Sequence, residues 1–336
     1  MTKHIPRIMR AIEIPFYDSN RQNLTLVEKT TPNVGPNQVL IKVSASPINP
    51  SDIVFLEGRY GVKKSLPVTP GFEASGRVVA VGSGPLARAL LGRRVACGAK
   101  RNLDGCWAEY MVTDVNSCMP LIPSVSDEQG AMALANPLTA WGLVDLARRG
   151  GHQAIVQSGA SSAVGRMILR LGQRFNMPMV HVVRRSANVA LLQSMGARYV
   201  LNSNDPDFLP RLKVICRQLN TSMAFDAVAG EMTGLMLKAM PRKGTLLLYG
   251  ALSNKPSQFD PADPLFSKKT IAGFWLTGWL PKLSLVEKAH MALTVQRGLN
   301  NELKTTVQAR LPLEQVAKGL QLYTQNMTKG KVLLIP

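Results

Sequence analysis

The tightest constraint on this chain lies between Ala154 and Arg185, where A-I-V-Q leads into S-G-A-S-S-A, then V-G-R-M-I-L-R-L-G, and later N-M-P-M-V-H-V-V-R-R. The run reads as a buried strand over 154–157, a turn of small residues over 158–163, a helix opening near Val164 and a second buried strand over 179–183. Small residues let backbone N–H groups approach a pyrophosphate closely, and the following helix aims the positive end of its dipole at the same spot. Ser161, Ser162, Ala163 and Val164 are therefore candidate cofactor-binding residues. Only Gly159 and Gly165 of a three-glycine fingerprint are present, with Ala163 near the usual middle glycine, so an ordinary strand-to-helix turn of another α/β protein stays open.

The end of the second strand points to one dinucleotide over the other. An NAD site places Asp or Glu there for the ribose 2′-hydroxyl, whereas a 2′-phosphate calls for cations. This strand ends in Arg184 and Arg185, with no carboxylate before Asp205, and the cofactor read from it is NADPH. A solvated helix start is the alternative, since paired basic residues also stand at 93/94, 148/149 and 268/269.

A chain of 336 residues suits two domains rather than one core. The formal charge of +19 suggests anionic partners, such as a dinucleotide phosphate, an acyl-CoA or an acidic acyl carrier protein. The basic residues are scattered, with no long block of the kind that marks a nucleic-acid tail. Cysteines at 97, 106, 118 and 216 lack C-x-x-C spacing, no apolar run reaches the ~18 residues of a membrane span, and a cytoplasmic protein is expected. The basic opening M-T-K-H-I-P-R-I-M-R is short for a targeting peptide and leads straight into a strand pattern at 10–14.

Short strands and Gly- or Pro-marked turns fill the chain up to about Pro123, with strands expected at 39–44, 76–81, 94–97 and 107–112. From Ser126 the pattern changes to helices at 127–134 and 137–147, and then to strand–helix alternation with further strands at 199–201, 224–228, 244–249 and 270–276. Such alternation calls for a parallel sheet covered on both faces, the doubly wound α/β class. The last segment, with a strand near 306–311, a helix over 313–323 and K-V-L-L-I, reads as a return to the β-rich domain. The expected division is 1–124 completed by 300–336, and 125–299.

The motifs in their order resemble the medium-chain dehydrogenase/reductase superfamily over nearly the whole chain. Those that carry the resemblance are S-P-I-N-P-S-D (46–52), E-G-R-Y-G (57–61), P-G-F-E-A-S-G-R-V-V-A-V-G (70–82), N-P-L-T-A-W (136–141), the cofactor turn, F-D-A-V-A-G (225–230) and G-F-W-L-T-G-W (273–279). Within it the chain is similar to the zinc-independent branch of quinone oxidoreductases and 2-enoyl-thioester reductases. The resemblance implies a GroES-like catalytic domain beside a Rossmann domain. Zinc-bearing members place cysteine and histidine where this chain has Asn49 and Phe72, and the structural-zinc lobe is missing, so no metal is expected.

Without a metal to polarise a carbonyl, the substrate implied is already conjugated: a quinone, an enone or an enoyl thioester, reduced by hydride from NADPH. The site must then supply a donor for the carbonyl oxygen or a proton for the α-carbon. Resemblance to the enoyl-thioester reductases makes Tyr60 the candidate catalytic donor, with Asn49 as a second polar group and Asp52 as a loop cap. It also implies Asn136, Thr139, Tyr249 and Lys331 on the cofactor side; a plain helix start is the alternative for Asn136 and Thr139, and a solvated strand end for Lys331. Phe274 and Trp275 are implied by the substrate, on a strand that pairs across a homodimer. A non-catalytic nucleic-acid or structural protein that keeps this fold is the alternative, supported by charge alone.

Overall fold

The structure is a computed structural model that describes residues 5–336. The chain forms two compact units, one running to Ala135 and resuming at Ala292, the other spanning Asn136–Met291. The first crossing lies later than 125 and the return earlier than 300. Residues around 127–129 are tied to the first unit, because Ser75 Oγ donates to the Asp127 carbonyl (2.6 Å) and Gln129 exchanges two hydrogen bonds with the Thr305 backbone (2.9 and 3.0 Å). Gln296 Oε1, which accepts the Ile122 N–H at 2.9 Å, does the same for the end of the helix Leu285–Gly298.

Strands of the first unit are β1 (Ile8–Glu13), β2 (Thr25–Thr30), β3 (Gln38–Pro47), β4 (Glu73–Val81), β5 (Arg94–Gly98), β6 (Tyr110–Asp114) and β7 (Cys118–Pro120). The second unit holds β8 (Ile155–Gln157), β9 (Met179–Val183), β10 (Tyr199–Asn202), β11 (Met223–Asp226), β12 (Thr245–Leu248) and β13 (Thr270–Gly273), and the chain returns for β14 (Val307–Pro312) and β15 (Lys331–Ile335). In the first unit the order is β14-β15-β3-β4-β5-β7 with β6 also on β3, and β1 and β2 form a separate antiparallel ribbon. One of the unit's hydrophobic clusters joins strand, helix and loop, with Ile48, Phe55, Trp107, Leu320 and Val332 buried in it. Each such side chain contributes roughly 1.5–3 kcal/mol by leaving water.

The second unit is a parallel sheet in the order β10-β9-β8-β11-β12-β13. Chain direction across it reverses between β8 and β11, and in such sheets ligands bind beyond the carboxyl ends of the strands at that reversal. All five residues of β9 are buried, as expected for a strand covered on both faces.

One local expectation is corrected, and two helices appear where the sequence reading assigned none. The strand expected over 270–276 stops at Gly273, and Leu276–Trp279 is a short helix with Trp275 as its N-cap residue. G-F-W-L reads as strand by apolar content, yet Phe274 is buried while Trp275 is 46% exposed, which is the onset of a turn. The helix Leu285–Gly298 gives no clean apolar stripe in sequence, because Leu285, Val286 and Leu293 are exposed while Met291 and Val295 are buried. A helix at Pro50–Leu56 also stands among the strands of the first unit.

Candidate active site

The helix Pro50–Leu56 begins where it does because proline at the first position needs no N–H and Asn49 before it is extended (φ −112°, ψ 159°). Asp52, fully buried, accepts the Asn49 N–H at 2.7 Å through Oδ2 and the Phe72 N–H at 3.1 Å through Oδ1. One carboxylate thereby fixes the helix start against the loop before β4. Asp52 caps the loop as the sequence suggested. Tyr60 is half-buried and its ring lies on that of Phe72, with centroids 4.8 Å apart and a 44° tilt. Phe72 in turn meets Phe55 edge-on at 5.4 Å.

Asn49 is 1% exposed and its amide is held at both ends. Oδ1 accepts from the Lys331 ammonium, and Nδ2 donates to Glu73 Oε1 at 2.8 Å. The second Glu73 oxygen accepts the N–H groups of Leu134 (3.0 Å) and Ala135 (2.9 Å), the residues just before Asn136. Lys331 spends its other two N–H groups on the Tyr323 hydroxyl (2.8 Å) and the Ile48 carbonyl (3.3 Å). Burial raises the pKa of the Asp52 and Glu73 carboxyls and lowers that of the Lys331 ammonium, and the opposite charges hold each of them back toward the charged form. At 1% exposure Lys331 is no solvated strand end.

In the second unit, Ser158–Ala163 turns the chain from β8 into the helix Ala163–Arg174. Gly159 takes φ +58°, a left-handed conformation that costs glycine little. Gly165 packs so closely that an added Cβ would meet the Ala160 carbonyl oxygen at 2.5 Å, which seats the helix against the turn. Ser162 is the N-cap, its Oγ accepting the Gly165 N–H at 3.1 Å. Ser161 is buried, and Ala163 and Val164 supply first-turn N–H groups outside the helix ladder. Beneath the turn, Asp226 takes hydrogen bonds from Ser158 Oγ (2.6 Å), the Val228 and Ala229 N–H groups (2.8 and 3.1 Å) and Thr233 Oγ1 (2.7 Å).

Arg184 and Arg185 are exposed directly after β9, the strand that runs parallel beside β8. The Arg184 carbonyl accepts from Asn204 Nδ2 at 3.0 Å, which ties this segment to the loop after β10. Tyr249 follows β12, its hydroxyl buried with no hydrogen-bond partner among the described residues. Burial and the nearby Asp226 raise its pKa. Asn136 and Thr139 lie in the first turns of the helix Ala135–Arg149, with Asn136 buried. These features fit a dinucleotide phosphate: free first-turn amides, two cations at the neighbouring strand end and an unpartnered buried hydroxyl.

Phe274 packs into the second unit's interior, ring on Trp279 at 5.6 Å, and an added Cβ on Gly142 would meet both rings at 2.9 Å. The structure thus brings Asn49, Asp52, Phe72 and Tyr60 together, gives Lys331 three protein partners in the first unit, and sends Phe274 and Trp275 to different environments. Sequence reasoning assigned nothing to Glu73, Tyr323 or Asp226. A charged residue within an apolar strand was the available signal for Glu73 and Asp226, because a buried carboxylate demands partners.

Residues 35–124 match the alcohol dehydrogenase GroES-like domain and residues 163–289 the zinc-binding dehydrogenase family. A structure from Mesorhizobium loti designated an NADPH:quinone reductase superposes with a TM-score of 0.91 at 32% identity, covering 99% of this chain and 100% of that one. A mycobacterial quinone oxidoreductase gives 0.83 at 25% identity over 98% and 100% of the two chains. The mitochondrial enoyl-[acyl-carrier-protein] reductase of Arabidopsis thaliana is 28% identical over 88% of this chain and 79% of its own length.

The zinc in that family description does not fit these residues. Phe72 offers no donor atom, both ends of the Asn49 amide are engaged, and a buried ammonium holds Asn49 Oδ1. Among the described residues no group of three His, Cys, Asp or Glu side chains could hold a metal ion. With its GroES-like and parallel-sheet units, the two family matches and these relatives, the chain belongs to the medium-chain dehydrogenase/reductase superfamily, in the branch of quinone and enoyl-thioester reductases.

Proposed function

We propose that this oxidoreductase is an NADPH-dependent, metal-free reductase of activated C=C bonds, with enoyl thioesters and quinones as its substrate classes. The observation that carries the reading is the Asn49 amide, clamped between an ammonium and a carboxylate where metal-bearing relatives need a ligand, with the tilted Tyr60–Phe72 ring pair tied to it through Asp52. NADPH, when bound, supplies a hydride for the β-carbon. Residues 161–164 and the helix start hold its pyrophosphate, and Arg184 and Arg185 its 2′-phosphate. Asn136, Thr139 and Tyr249 complete the proposed cofactor contacts.

Tyr60 is the proposed catalytic residue: its hydroxyl donates to the thioester or quinone oxygen as negative charge gathers there, or delivers a proton to the α-carbon. Asn49 adds a second donor through its remaining amide N–H. The aromatic faces of Phe72 and Phe55 support the Tyr60 ring and exclude water from one side of it. Trp275 is the proposed substrate contact. Relatives named as acyl-carrier-protein reductases support a thioester carried on CoA or an acidic carrier protein, which also suits the charge of +19.

A homodimer is part of this reading. β13 is an edge strand of its sheet, preceded by Leu265 and Phe266 and followed by Leu285 and Val286, all at least 69% exposed. Light scattering should give twice the monomer mass. A cytoplasmic location is proposed from the four free cysteines; among the described residues no helix is long and apolar enough to cross a membrane. The function is tested by NADPH oxidation with crotonyl-CoA, a longer enoyl-CoA and 1,4-benzoquinone, before and after treatment with a chelator. Turnover unchanged by the chelator supports it, and turnover that depends on stoichiometric zinc overturns it.

A further inference from the structure

We infer that Lys331 and Glu73 are positioning residues that lock the Asn49 amide in one orientation, so that its remaining N–H has a single direction. The inference deepens the proposed reductase reading and rests on it only for what Asn49 does to substrate.

An asparagine amide can turn end for end, and at an ordinary site little separates its two orientations. Here the two ends face groups of opposite character. An ammonium has only N–H groups to give, and the one from Lys331 reaches Oδ1. An ionised carboxylate can only accept, and Glu73 Oε1 takes one N–H of Nδ2 at 2.8 Å. A turned amide would set its NH₂ against the ammonium and its oxygen against the carboxylate, losing both charge-assisted bonds at a site that is 1% exposed. The clamp is itself anchored. Tyr323, 3% exposed, accepts from Lys331 Nζ at 2.8 Å, and the Ile48 carbonyl takes its third N–H at 3.3 Å. Glu73 is fixed from the other side by the N–H groups of Leu134 and Ala135. One chain of contacts thus runs within the first unit from Tyr323 through Lys331, Asn49 and Glu73 to the backbone of Leu134 and Ala135.

This role differs from direct cofactor binding by Lys331. All three of its N–H groups already have protein acceptors, each within the first unit. Its charge instead balances part of the negative charge that Glu73 and Asp52 bring into the same buried region.

Lys331→Met keeps the length and removes the charge, and the double variant Lys331→Met/Glu73→Gln removes both charges of the clamp, so that a buried uncompensated carboxylate does not obscure the result. With crotonyl-CoA at saturating NADPH, both variants should lose roughly 10- to 100-fold in kcat while the Kd for NADPH moves by less than about 2-fold. The double variant should recover melting temperature without recovering kcat. In ¹⁵N-labelled protein, the side-chain amide signals of Asn49, identified by their absence from Asn49→Ala, should shift in Lys331→Met. That spectrum needs no turnover, so it still reads the clamp if the unsubstituted protein reduces none of the substrates. A Kd for NADPH raised tenfold or more with kcat retained would make Lys331 a cofactor ligand and overturn the inference. So would full kcat in the double variant, or Asn49 amide signals that do not move.

Discussion

Ser158 Oγ and Asp226 Oδ1 lie 2.6 Å apart, a hydrogen bond that joins the carboxyl ends of the neighbouring strands β8 and β11. These two strands flank the reversal of the sheet, so the contact sits under the turn proposed to bind the dinucleotide. Both residues are buried, and Ser158 Oγ also accepts the Ala227 N–H at 2.9 Å.

Removing either partner strands buried donors. Ser158→Ala should cost about 1–3 kcal/mol, and Asp226→Ala roughly 3 kcal/mol or more, because it leaves the Val228 and Ala229 N–H groups and the Ser158 hydroxyl proton without their acceptor, whereas Thr233 Oγ1 keeps Ser257 Oγ at 2.9 Å. Denaturant midpoints measure both, and NADPH affinity should fall with them. A cost under about 0.5 kcal/mol for Asp226→Ala would show that the network does not hold the turn.

Cofactor choice follows from the exposed Arg184 and Arg185 after β9. NADPH should bind at least 10-fold more tightly than NADH, about 1.4 kcal/mol. Replacing both arginines with alanine should abolish the preference without moving the melting temperature. Equal affinities in the unsubstituted protein would contradict the assignment.

A pH effect on stability resides in His181, 3% exposed in the middle of β9. Gln157 Nε2 lies 2.8 Å from its Nδ1 and also donates to the Gly165 carbonyl at 3.0 Å, so Nδ1 accepts and the ring is neutral. Burial pushes its pKa down from 6.5 to about 4. Because the folded value lies below the unfolded one, the unfolded chain binds the proton first. Stability is therefore intact above pH 6.5 and falls between there and about pH 4, by roughly 3 kcal/mol in all. Urea midpoints at pH 7.5 and 5 should diverge less in His181→Gln than in the unsubstituted protein. Identical slopes would refute the effect.

Much of this architecture was legible in the chain itself. M-V-H-V-V, bounded by Pro178 and the arginine pair, is short, rich in valine and apolar on both faces, which reads as a covered strand. The strand–turn–helix course through the small residues 158–163 was legible too, since Gly and Ser there interrupt two apolar patterns. Lys331 was not, since a lysine opening K-V-L-L-I reads as a strand end in water, and its burial depends on Asn49 and Tyr323, which are distant in sequence or unremarked. Phe274 and Trp275 were adjacent aromatics in one motif. Only the end of β13 at Gly273 separates them into an interior ring and an exposed one.

Tyr60 carries the most specific chemical claim. Tyr60→Phe should lower kcat on an enoyl thioester by roughly 10- to 1000-fold, about 1.4–4 kcal/mol of transition-state stabilisation. NADPH affinity should hardly change, because the remaining ring still packs on Phe72. Quinone reduction should suffer less, since a quinone is a stronger electrophile whose product oxygen needs less help. Unchanged kcat on every substrate would transfer the donor role to Asn49.

The central claim, metal-free hydride addition from NADPH to a conjugated C=C, is tested most directly by following the hydride itself. Zinc-depleted protein given crotonyl-CoA and NADPH carrying deuterium at both C4 positions of the nicotinamide should yield butyryl-CoA with one deuterium at C3, one product per NADPH consumed. Unlabelled product, reduction at the carbonyl carbon, or turnover only after zinc is restored would contradict the account.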